Sequence, residues 1–118
     1  MRILVIGQVS VHWGRVEFGN VGNYYITRTA FRELHRVFPK AEIFTTFQMT
    51  DEFCVAENVN CLPISLFYNW DDNDLDIAYK ELGIANYFSE TKQIIDTTPY
   101  IDEVLKSDLI IDFSGELW

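Results

Sequence analysis

The chain has 118 residues, with 9 Lys plus Arg against 18 Asp plus Glu, for a net charge of −9. A chain so acidic repels phosphate backbones and anionic lipid surfaces, which places nucleic acid and membrane partners at a disadvantage. Hydrophobic residues make up 48% and aromatics 15%, which excludes a disordered tail and leaves room for one domain with a real core.

Met1-Arg2 is followed at once by Ile3-Leu4-Val5-Ile6, a run far too short for the core of a signal peptide or for a spanning helix. With no export or insertion signal, a cytoplasmic location is expected. Cys54 and Cys61 have no second Cys or His pair at a zinc-like spacing, so reduced, partly buried thiols are expected and no metal or cofactor is called for.

Ile3 to Ile6 is continuously apolar rather than alternating, as a strand buried on both faces of a parallel sheet requires. A loop follows Gly7. From Val21 to Phe38 the apolar positions Ile26, Ala30, Leu34, Val37 and Phe38 recur at helical spacing, with Arg28, Arg32, His35 and Arg36 on the other side; a solvated face is the default reading of the Arg28, Arg32 and Arg36 stripe, and a contact with an acidic domain or partner is the lesser one. Pro39 stops that helix. Ala41 to Phe47, rich in β-branched and aromatic residues, reads as the second strand.

Thr50 to Asn60 reads as a loop or short helix. Cys61 to Ile64 is a candidate third strand, placed at a sheet edge by Pro63. The acidic run Asp71, Asp72, Asp74 and Asp76 precedes a helical pattern of Leu75, Ala78, Tyr79 and Leu82 that is expected to stop at Gly83. Acids at a helix entry complement the macrodipole, and a metal site is the lesser reading. Ile84 to Thr97 is expected to hold another helix, with Tyr87, Phe88, Ile94 and Ile95 inward. Thr98-Pro99 is a start signal for a short helix ending near Ser107. Leu109 to Phe113 is a mostly apolar strand expected in the sheet interior. Strands alternating with helices predict an α/β fold, a Rossmann-like three-layer sandwich with a mostly parallel sheet.

In such sheets ligands bind beyond the carboxyl ends of the strands where the strand order reverses. If the first strand neighbours the last, the segments Gln8 to Asn23 and Ser114 to Trp118 meet there. Gly19, Asn20, Gly22 and Asn23 lead into a helix, where glycines permit close backbone approach and free amides favour an anion. A tight turn with an Asn cap is the structural alternative. The segment is neither a dinucleotide fingerprint nor a phosphate-binding loop ending in Gly-Lys-Ser/Thr. Thr45 and Thr46 also stand where a dinucleotide site places an acid for the ribose, so NAD and P-loop ATP chemistry are disfavoured.

His12 is a candidate proton-transfer group or phosphate contact, against a solvent-facing loop histidine. Asp112, inside an apolar strand, and Glu116, just past its end, are candidates for a general base or for acceptors of sugar hydroxyl protons. The alternatives are a carboxylate binding loop amides for Asp112 and an exposed side chain for Glu116.

Met1 to Gly7, then Phe18-Gly-Asn-Val-Gly-Asn23 opening a helix, then Ser107-Asp-Leu-Ile-Ile-Asp-Phe-Ser-Gly-Glu116, together resemble the N-terminal part of the polysaccharide pyruvyl transferase family. The resemblance follows the whole chain in order, with its specificity in residues 18 to 23 and 107 to 116. Asn23 stands where the family usually has Asp, and Ser114-Gly115-Glu116 differs from the triple-Gly turn of relatives.

The resemblance implies a two-domain fold similar to the GT-B glycosyltransferases, of which residues 1–118 are one incomplete domain. Its enzymes transfer the enolpyruvyl unit of phosphoenolpyruvate to two sugar hydroxyls as a ketal, in exopolysaccharide synthesis. The candidates are thus His12, Asp112 and Glu116 for catalysis and Gly19, Asn20, Gly22, Asn23, Ser114 and Gly115 for substrate, and the resemblance implies that this part of the protein offers at most the acceptor-side loop of the site. The expected partners are a sugar acceptor and phosphoenolpyruvate, with self-association through an unfinished sheet. A GT-B glycosyltransferase domain and a non-catalytic α/β module are the alternatives. A receiver module is opposed by Gly7-Gln8-Val9, where it needs an acidic pair.

Overall fold

The continuous apolar run after Arg2 forms strand β1 (Arg2–Ile6), with Ile3, Leu4 and Val5 all buried. Burial of three successive residues means that both faces of the strand are covered at its centre, as the unbroken apolar pattern required. The computed structural model describes residues 1–7, 21–47, 49–62 and 74–113. The chain divides into two compact units, one of Met1–Pro63 with Ser107–Trp118 and one of Ile64–Lys106.

In the first unit β1 is followed by helix α1 (Val21–Val37), strand β2 (Glu42–Thr45), helix α2 (Asp51–Glu57) and strand β3 (Asn60–Cys61). After the second unit the chain returns as strand β4 (Leu109–Asp112), and the four strands pair in the order β3-β2-β1-β4. Every pairing is parallel, which establishes an α/β fold. Ile3 lies beside Ile43 on one side and Leu109 on the other, and Val5 beside Thr45 and Ile111. Asp108 fastens the start of this register: its carboxylate accepts from the Arg2 N–H at 2.8 Å while its own N–H donates to the Arg2 carbonyl at 2.8 Å.

The core lies between the sheet and the pair α1 and α2. Ile3, Val5 and Ile43 supply the sheet side; Phe31 of α1 and Phe53 of α2 supply the helix side, with Phe47, Met49 and Val59 from the connections. Phe31 sits 6.2 Å from Phe47 and 6.3 Å from Phe53, ring centre to ring centre, in tilted and edge-on arrangements that the ring quadrupole favours.

The inward stripe of α1 is Thr27, Phe31, Leu34 and Phe38 with Tyr24, not the stripe read from Ile26 and Val37. Those two are 52% and 54% exposed, whereas Phe31 is fully buried. The helix is turned so that the larger ring goes inward, and a threonine in the buried row disguised it. The basic face is also not simply solvated. Glu57, at the end of α2, is 8% exposed and receives Arg32 through Nε at 3.0 Å and a terminal guanidinium nitrogen at 3.1 Å, with Arg28 Nε at 3.4 Å. His35 Nε2 donates to the carbonyls of Glu57 at 2.9 Å and Asn58 at 3.0 Å, so that nitrogen carries the proton.

Helix α2 resolves the ambiguous Thr50 to Asn60 stretch. Thr50 caps its start, accepting from the Phe53 N–H, and Asn58 ends it in a left-handed conformation at φ 52°. Strand β3 lies at the edge that Pro63 implied, two residues long. Strand β4 corrects the expectation of an interior strand: among the described residues it pairs only with β1, and its residues alternate half-buried and exposed.

The second unit contains helix α3 (Asp74–Thr91) and helix α4 (Pro99–Lys106). Gly83 does not stop α3, which continues two more turns, so no separate helix occupies Ile84 to Thr97. Tyr87, Phe88, Ile94 and Ile95, expected inward, are exposed, while Ile84 is buried. Propensity explains the difference: a lone glycine costs a helix interior only about 1 kcal/mol, too little to end it. Helix α4 starts as read, with Thr98 Oγ1 accepting from the Ile101 N–H and Pro99 in the first helical position. The same hydroxyl donates to Glu81 Oε1 at 3.1 Å, and Lys80 Nζ reaches Asp96 at 3.2 Å, tying α3 to the segment that precedes α4. No helix among the described residues is long and apolar enough to cross a membrane.

Candidate functional site

Chain direction places the candidate site at one end of the sheet. From β1 the chain moves through β2 to β3 on one side, then returns to β4 on the other, so the strand order reverses between β1 and β4. This is the topological switch point at which an open parallel sheet splays its loops apart and leaves a crevice.

Two strand ends meet there. Ile6 closes β1 opposite Asp112, which closes β4, and the Phe113 N–H donates to the Ile6 carbonyl at 2.6 Å. Gly7 follows at φ 147°, where a Cβ would be strained, so the chain leaves β1 by a turn that glycine permits. The amino end of α1 belongs to the same side of the sheet. At its other end α1 delivers the chain to β2 beside Met1, where the Glu42 N–H donates to the Met1 carbonyl at 2.8 Å, so the helix runs back against the strands.

Of the residues expected to carry chemistry, Asp112 and the pair Gly22 and Asn23 are therefore brought to one end, Asp112 on the strand and the pair in the first turn of α1. Asp112 is exposed rather than enclosed in an apolar strand. The apolar neighbours in sequence do not enclose it, because β4 alternates and leaves this position on the exposed side. His12, Gly19, Asn20, Ser114, Gly115 and Glu116 lie outside the described residues.

Other candidates are sorted by the same geometry. Asp108, in the same motif as Asp112, is at the amino end of the strands and spends its carboxylate on the Arg2 N–H. Thr45, where a dinucleotide site would place its ribose acid, is fully buried and accepts from the Phe47 N–H at 3.1 Å. Cys54 and Cys61 are not joined in a disulfide and are both half-buried, and Cys61 Sγ donates to the Phe47 carbonyl. Among the described residues, no group of three or more His, Cys, Asp or Glu side chains is placed to hold a metal ion. Asp71 and Asp72 of the acidic run lie outside the described residues, and Asp74 opens α3.

Sequence reasoning missed the Glu57 clasp and the role of His35. Its partners are 25 and 29 positions apart in the chain, so no local spacing signals it; the only hint was a pair of arginines one helical turn apart. Gly7 was legible as the glycine that ends an apolar run.

No family model, no curated protein and no solved structure matches the chain.

Proposed function

We propose that this chain is the N-terminal, Rossmann-like part of a polysaccharide pyruvyl transferase family protein of GT-B-like organisation, and that it supplies the acceptor side of the active cleft. One observation carries the reading: within the motif Ser107 to Glu116, strand β4 (Leu109–Asp112) pairs with β1 and ends with Asp112 at the switch point, next to the Gly7 turn and on the side where α1 begins.

The reaction joins two sugar hydroxyls to C2 of phosphoenolpyruvate; C3 takes up a proton to become methyl, and phosphate leaves. A base must accept a hydroxyl proton, an acid must protonate C3, and cationic groups must hold the donor phosphate and carboxylate. Asp112, a carboxylate side chain exposed at the end of β4, is the candidate for the first task. His12 and Glu116 are the further candidates for proton transfer, and Gly19, Asn20, Gly22, Asn23, Ser114 and Gly115 for binding, from their positions in the two segments that flank the switch point. The chain's own balance of 9 basic against 18 acidic residues fits a neutral sugar better than the anionic donor.

The test uses the protein encoded by the complete reading frame, incubated with phosphoenolpyruvate and a panel of sugars, with phosphate release and ketal formation followed by NMR. Phosphoenolpyruvate is expected to raise the melting temperature, UDP- and GDP-sugars are not, and Asp112→Asn is expected to lower turnover by about 10²- to 10⁴-fold while leaving the donor's thermal shift intact. Stabilisation by a nucleotide sugar and not by phosphoenolpyruvate would move the protein to the glycosyltransferases. Turnover by residues 1–118 alone would overturn the acceptor-side role.

A further inference from the structure

We draw no further inference here: the strongest candidate, the exposed apolar stripe of Leu75, Tyr79 and Leu82 along α3, carries nothing because nothing in the structure shows what covers it.

Discussion

Thr27 is fully buried in the row of α1 that faces the sheet, and its Oγ1 has no hydrogen-bond partner among the described residues. An unsatisfied buried hydroxyl costs more than the same volume filled by a methyl. Thr27→Val is therefore expected to raise stability by about 1 kcal/mol, read from the urea midpoint at unchanged m-value. Glu81 carries the opposite lesson for charge. Burial raises its pKa, and the hydrogen bond from Thr98 Oγ1 lowers it by less. The native state thus holds a proton that the unfolded chain has already released, so this group's contribution to stability falls as pH rises past the usual glutamate value of about 4.3. Glu81→Gln keeps an acceptor for Thr98 and removes the ionisation. The variant is expected to match the parent in acid and to exceed it at neutral pH, in paired denaturation curves; a difference independent of pH would refute the assignment. Asp96 runs the other way, held below its ordinary value by the Thr97 N–H and by Lys80, so what it contributes is lost in acid. The environments of Thr27 and Glu81 are not visible in sequence, because each depends on what lies across an element boundary; that of Asp96 is set first by its own neighbour, Thr97.

At the scale of elements, α1 and α2 are joined twice, by packing and by charge. The edge-on pair Phe31 and Phe53 supplies apolar burial; Glu57 between Arg28 and Arg32 fixes where α2 ends, and His35 takes up its last carbonyls. Helix α2 has only seven residues, too few to be stable in isolation, so its persistence rests on these contacts. Glu57→Gln removes the charge at a site nearly closed to water and is expected to cost roughly 1–2 kcal/mol. Amide exchange should speed up first in Asp51–Glu57, ahead of α1; uniform acceleration would count against a local clasp. In α3 the continuation through Gly83 makes a different prediction. A Cβ there meets nothing within 4 Å, so Gly83→Ala is expected to add about 0.5–1 kcal/mol through backbone entropy alone. The start of α4 at Thr98-Pro99 is legible to the residue and α1 from its periodicity, whereas the sequence splits α3 at Gly83 and leaves α2 open between loop and helix. Helix phase is not legible, since Ile26 and Phe31 both look apolar in one dimension and only competition for the sheet surface decides which is buried.

For the whole molecule, the functional reading depends on one topological fact, that β4 returns to the far side of β1. The loss of turnover expected for Asp112→Asn, with the donor's thermal shift retained, belongs to this scale because it tests whether the end of β4 lies in a working cleft. If turnover survives, the exposed carboxylate guards a strand edge instead, where a charge discourages pairing with another chain. The sequence by itself determined the α/β class and the existence of β1, α1, β2, α4 and β4. Unbroken apolar runs, a capped start and turn residues act locally, and a reader of one dimension has access to them. Only the tertiary structure decided the strand order, the outward turn of Asp112, the rotation of α1 and the burial of Glu57. Each of these is settled by surfaces from distant parts of the chain competing for the same space, and the outcome of that competition is written in no single stretch of residues.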